Sequence, residues 1–123
     1  MLDSTSLTQT FAPYGPRTPA YASPEQIENR KKEIDFRSDQ FNLGIIFAQL
    51  ILAGEHPFSP DIVGNKQSIL ENILDGKWAA EQIARLVSEQ SFIVISRLLG
   101  HEPYQRYRKA DEFHQAVKDL LGG

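Results

Sequence analysis

Phe41-Asn42-Leu43-Gly44-Ile45-Ile46-Phe47-Ala48-Gln49-Leu50-Ile51-Leu52-Ala53 decides the fold class of this chain. Within these thirteen residues only Asn42 and Gln49 are polar, and none is charged. An amphipathic surface helix would show one apolar stripe with a period of 3.6 residues; here apolar side chains fall on nearly every side. The run is too short to cross a bilayer, which takes about 20 apolar residues. It reads as a central helix wrapped by protein on most sides. Ser38-Asp39 marks its start, Gly54 its end, and Pro57 and Pro60 the loop beyond.

Outward from this helix the patterns stay helical. Ser23-Pro24-Glu25 supplies a cap, a proline suited to the first helical position and a carboxylate at the positive end of the dipole. That helix is short, because Asn29 and a charged run follow. Lys66 to Leu74 puts Ile69, Leu70, Ile73 and Leu74 on one face, with Gly76 after it. Residues 79–99 carry one broken or two consecutive helices, and Phe92, Ile93, Ile95, Leu98 and Leu99 are spaced for burial. Ala110 to Leu121 aligns Phe113, Val117, Leu120 and Leu121, with Gly122-Gly123 behind. No segment alternates as a strand for more than a few residues, and the ambiguous Phe92-Ile93-Val94-Ile95 resolves as helix from its flanks. The fold class is all-α.

Residues 1–22 differ. Five Ser or Thr stand in the first ten positions, then Pro13, Gly15, Pro16 and Pro19. This composition describes an extended segment. The chain therefore divides into an extended stretch, 1–22, and a helical unit, 23–123.

Composition excludes several functions. A chain of 123 residues, 41% hydrophobic and with a net charge of −3, suits one globular unit with a modest core. Its Lys and Arg residues form no stripe, which argues against nucleic acid. Arg30-Lys31-Lys32 is flanked by Glu28 and Glu33 and reads as a solvated helix end or loop. The absence of cysteine excludes disulfides, thiol catalysis and thiolate metal sites, and fits a cytoplasmic location. Met1-Leu2-Asp3 leads into a polar run, unlike a secretory leader. His56, His101 and His114 lie far apart, match no metal-ligand spacing and are expected at the surface or in loops. Asp111-Glu112 sits in a first helical turn, where the dipole explains it. Trp78 reads as a packing anchor, and no Ser/His/Asp arrangement has supporting context.

Four motifs occur in a telling order: Thr18-Pro-Ala-Tyr-Ala-Ser-Pro-Glu25, Ser38-Asp39 through Leu43-Gly44, Gly54-Glu-His-Pro57-Phe58, and Pro103-Tyr-Gln-Arg106-Tyr-Arg-Lys-Ala110. In this order and spacing they resemble the C-terminal part of the C-lobe of a bacterial Ser/Thr protein kinase, over about residues 8–121. The resemblance implies a helical C-lobe portion with an extended activation segment at its N-terminus. It implies that Glu25 and Arg106 form an ion pair joining the end of that segment to the last helical unit; the alternative is two exposed charges. It implies that Asp39 accepts hydrogen bonds from catalytic-loop amides, beside the simpler reading of a charge at a helix start. Thr18 would lie in the P+1 region, its hydroxyl near the catalytic Asp and Lys, with Pro19 and Tyr21 shaping the pocket. Thr8 and Thr10 resemble autophosphorylated activation-loop threonines; the plain alternative is a polar loop.

The departures are Arg17 where the family has Gly, with Gly15 two places earlier, Ser23 for the Ala of Ala-Pro-Glu, and Lys109 where Ser or Thr usually caps. The larger departure is absence. The chain has no glycine-rich loop, β3 Lys, helix-C Glu, catalytic-loop Asp and Asn, or metal-binding Asp of Asp-Phe-Gly. Catalytic, cofactor-binding and metal residues are therefore none in this chain, and ATP and Mg belong to a parent kinase. Its partners would be a protein substrate or the missing part of the kinase domain. The other reading is a free-standing, kinase-derived helical interaction module or pseudokinase remnant, forming a homodimer or domain swap through the helix at 41–53.

Overall fold

Residues 20–122, which the computed structural model describes, form seven α-helices with no strand among them. In chain order they are α1 (Pro24–Ile27), α2 (Phe36–Ile51), α3 (Pro60–Val63), α4 (Ile69–Asp75), α5 (Ala80–Leu86), α6 (Glu89–Leu98) and α7 (Ala110–Gly122). Short 3-10 turns at Lys31–Glu33 and Pro103–Gln105 join some of them. Serines set most of the helix starts. Ser23, Ser59, Ser68 and Ser88 each accept a hydrogen bond from a backbone N–H two or three residues on. These bonds satisfy donors that a helix N-terminus otherwise leaves open.

The central helix is longer than the apolar run. It begins at Phe36 under an Asp35 cap, a turn before the expected start at Ser38-Asp39. Ser38 is thereby placed inside the helix, buried, where its hydroxyl serves another residue. Beyond Leu52 the chain turns out through Ala53 (φ 58°) and Gly54 (φ 99°), whose N–H returns to the Gln49 carbonyl at 2.8 Å. The loop expected after Pro57 contains α3, and α4 starts under Ser68 rather than at Lys66.

Phe41, Ile45, Ala48 and Leu52, spaced 4, 3 and 4 apart, form the buried face of α2. They meet Phe58, Ile73, Ile83, Ile95 and Leu99 in one core. Leu98, Tyr107 and Ala116 form a second cluster that seats α7. Trp78 packs at the edge of the first, stacked on Phe92 at 6.0 Å between centroids. As expected, the apolar run is covered on most of its sides, with a narrow exception where Ile46 is 45% and Leu50 72% exposed. The described helices leave these two side chains uncovered.

Candidate functional site

Two adjoining structures tie the segment at 20–25 to the helical unit. The deeper one is centred on Arg106. All five of its N–H donors are used. Nη1 donates to Glu25 Oε2 at 2.6 Å and to the Arg37 carbonyl at 3.0 Å. Nη2 donates to Glu25 Oε1 at 3.0 Å and to the His101 carbonyl at 3.2 Å, and Nε to the Gly100 carbonyl at 2.7 Å. The guanidinium carbon lies 5.0 Å from the centroid of Phe41. Both charged side chains are 0% exposed. Ser38 donates to Glu25 Oε2 at 2.7 Å, which explains its burial inside α2. Burial by itself raises the Glu25 carboxyl, but the Arg106 guanidinium and the Ser38 hydroxyl outweigh it and hold the group below the usual carboxylate range. Beside this pair, Gln40 donates to the Tyr107 carbonyl at 2.8 Å and accepts from its N–H at 2.9 Å. A neutral amide thus fastens α2 to the turn that carries Arg106.

The second structure holds Ala20–Ala22 against α2. Tyr21 donates its hydroxyl to Gln49 Oε1 at 2.7 Å, and its carbonyl accepts from Asn42 Nδ2 at 2.5 Å. His56 Nε2 lies 2.6 Å from the Ala20 carbonyl, and its Nδ1 accepts from the Phe58 N–H at 3.1 Å. Since Nδ1 accepts, the proton sits on Nε2 and is donated to Ala20. His56 lies in the loop after α2, as expected, but is buried there, and burial lowers its pKa despite the Ala20 contact. Asn42 and Gln49 stand seven residues apart, two turns of one helix face. The two polar interruptions of the apolar run thus both grip this segment, at Tyr21.

Of the residues singled out in the sequence, the structure brings Glu25 and Arg106 together and fixes Tyr21 on α2. Asp39 stands exposed in the first turn of α2, and no described residue donates a hydrogen bond to it. Partial burial and the neighbouring Asp35 carboxylate raise its pKa. Thr8, Thr10, Thr18 and Pro19 lie outside the described residues. Sequence reading missed Ser38, Gln40, Asn42, Gln49 and His56 as partners of the site. The one available signal was the seven-residue spacing of Asn42 and Gln49. Arg30, read as solvated, is instead half-buried among Glu28, Glu33 and Glu102. Among the described residues no group of three or more His, Cys, Asp or Glu could hold a metal ion. No described helix is long and apolar enough to cross a membrane.

Comparison with known proteins agrees on one class of relatives. A protein of Dictyostelium discoideum named "Probable inactive serine/threonine-protein kinase" is 29% identical over 110 residues, covering 75% of this chain and 5% of that protein. A "Probable serine/threonine protein kinase" of Arabidopsis thaliana is 33% identical over 89 residues, 72% of this chain and 8% of that protein. "Serine/threonine-protein kinase A" of Synechocystis sp. is 50% identical over 56 residues, 46% of this chain and 9% of that protein. The relationship is to Ser/Thr protein kinases. The matched stretch spans only 5 to 9% of the length of these relatives. No family model and no solved structure matches the chain.

Proposed function

We propose that this chain is the C-terminal part of a bacterial-type Ser/Thr kinase C-lobe, with residues 1–22 as activation segment and 23–123 as its helical unit. The observation that carries the reading is the fully buried Glu25–Arg106 pair in a chain similar to Ser/Thr kinases. Its contribution is to hold the segment leading into Tyr21 against the lobe. Thr18, Pro19 and Tyr21 then form the P+1 surface for a protein substrate, and Asp39 receives amides of the catalytic loop. Phosphate on Thr8 or Thr10 adds about −1.5 to −2 charges and orders the loop against basic groups. The chain carries no glycine-rich loop, catalytic-loop Asp and Asn, or Asp-Phe-Gly. Phosphotransfer is therefore assigned to other parts of the parent, in the cytoplasm. The test is the reading frame upstream of Met1 and the longer protein it encodes. In-frame His-Arg-Asp and Asp-Phe-Gly are expected, with transfer of the ATP γ-phosphate to protein Ser or Thr that drops at least tenfold in Glu25→Ala. A stop codon with no such motifs, or turnover of Mg-ATP by this chain alone, overturns the reading.

A second reading is favoured by one observation, the exposed Ile46 and Leu50 on α2. Here the chain is a kinase-derived interaction module that pairs through α2, as a homodimer or domain swap. Light scattering at about 50 µM then gives twice the chain mass, and Leu50→Lys returns it to monomer; this change on an exposed residue alters stability by no more than about 0.5 kcal/mol. A monomer that binds no apolar dye counts against it.

A further inference from the structure

The groove between α6 and α7, about 780 Å³ in volume, shares only Tyr107 with the site above. Its floor is apolar, built from Ile93, Val94, Ala116 and Leu120 with the buried ring of Tyr107. Its α7 wall carries Asp111, Glu112 and Asp119, and no Lys, Arg or His is among its lining residues. The nearby Arg97 is already engaged: it lies 4.1 Å over the Tyr107 ring and donates to the Arg106 carbonyl at 3.2 Å.

These carboxylates are not all explained by the helix that bears them. Asp111 and Glu112 occupy the first turn of α7, and one Asp111 oxygen accepts from the Glu112 N–H at 2.9 Å. Asp119 stands at the opposite end. It lies in the last turn, where the dipole disfavours a negative charge and which holds no basic residue, Lys118 standing just before it. One of its oxygens accepts from Gln115 at 2.9 Å, leaving the other available. Burial, with Asp119 and Glu112 adding to it against the opposing Arg97, raises the Tyr107 hydroxyl pKa. The groove thus pairs an apolar floor with negative potential, at a size usual for ligand clefts.

We propose that this groove docks an extended basic peptide segment of a partner protein, seating one aliphatic side chain between two cationic ones. The aliphatic residue lies over Val94, Ile93 and Leu120. One Arg or Lys reaches Asp111 and Glu112, and the other reaches Asp119. At 1.5 Å per residue the two ends of the α7 wall are about 10–12 Å apart. In an extended peptide, at about 3.3 Å per residue, that separation places the two basic residues three or four positions apart. A floor without charge selects for the central apolar residue, and the carboxylates set register and approach. The inference does not rest on the kinase reading.

The test uses the full chain and a fluorescein-labelled peptide with an Arg-Ser-Leu-Ser-Arg centre, followed by anisotropy. Saturable binding is expected, weakened at 0.5 M salt where exposed charges are screened. Asp119→Lys removes an unfavourable end charge, so it keeps or raises the melting temperature while weakening binding about tenfold. Replacing the peptide's Leu with Ser weakens it comparably, and an acidic counterpart does not bind. The proposal fails if the basic peptide does not bind, if Asp119→Lys binds as the parent does, or if the Leu-free peptide binds equally well. It fails also if this groove is occupied by a second copy, shown by a dimer that Asp119→Lys dissociates.

Discussion

Glu25 and Arg106 are 81 residues apart in sequence, yet they share two hydrogen bonds, at 2.6 and 3.0 Å, with neither side chain exposed to solvent. The pair closes the chain on itself. It fixes the end of the entering segment to the turn before α7, with α2 between them contributing Ser38, the Arg37 carbonyl and the Phe41 ring. Because Arg106 also serves three backbone carbonyls, it acts as the hub and Glu25 as one of its partners.

Removing one member leaves the other charged and buried. Arg106→Ala and Glu25→Ala should each lower unfolding free energy by about 3–5 kcal/mol. Paired apolar replacement, Glu25→Leu with Arg106→Met, should lose less than the two single changes added together, since no unpaired charge remains. Urea melts of the four proteins check this. A loss under about 1 kcal/mol for either single variant would mean that the pair behaves as an exposed one.

Acid should weaken the fold through the same pair. The folded Glu25 pKa is lowered, so below an unfolded value near 4.3 the unfolded chain binds more protons than the native one. The stabilisation is complete above about pH 4.3 and is lost as pH falls from there through the lower folded value. In NMR titration, the Glu25 carboxyl carbon should keep its ionised shift at about pH 4.3. Half-protonation at that pH would contradict the geometry.

His56 acts over a higher range. It is buried neutral with a lowered pKa, so stability drawn from it is present above about pH 6.5 and is lost as pH falls through the folded value. Protonation also sets an Nδ1–H against the Phe58 N–H, two donors facing each other. The ring-proton titration midpoint should lie below about 6.5, with faster amide exchange at Phe58 on the acid side. A midpoint above that value would show that the ring is not desolvated as described.

Gly44 gives a packing test. A Cβ there would stand 2.9 Å from Leu98 Cβ and 2.9 Å from Leu99 Cδ2. Leu98 Cβ is fixed to its backbone, so α6 must shift. Gly44→Ala should cost about 1–3 kcal/mol by overpacking, despite the better helix propensity of alanine. A melting temperature equal to or above the parent's would show that α6 moves freely.

Much of the fold was legible in local pattern. Ser23-Pro24-Glu25, the Ile69-to-Leu74 stripe followed by Gly76, and the Phe113-to-Leu121 stripe mark helices because caps and a period of 3.6 are written in nearby residues. Boundaries slipped where two capping choices competed: Asp35 rather than Ser38 opens α2. The cause is tertiary, since the Ser38 hydroxyl is drawn to Glu25, 13 residues earlier.

The sequence by itself determined that the chain is helical, that the run 41–53 of its central helix is uncharged and almost wholly apolar, and that its motifs resemble those of Ser/Thr kinases. These depend on residue type and short spacing. Only the tertiary structure decided what the polar exceptions do. Asn42 and Gln49 hold Tyr21, Gln40 pairs with Tyr107, and His56 is buried on Ala20, because each bond joins residues from 21 to 67 positions apart. It also decided which face of α2 is covered. Burial depends on where neighbouring helices land, and hydrophobicity along one helix does not specify that.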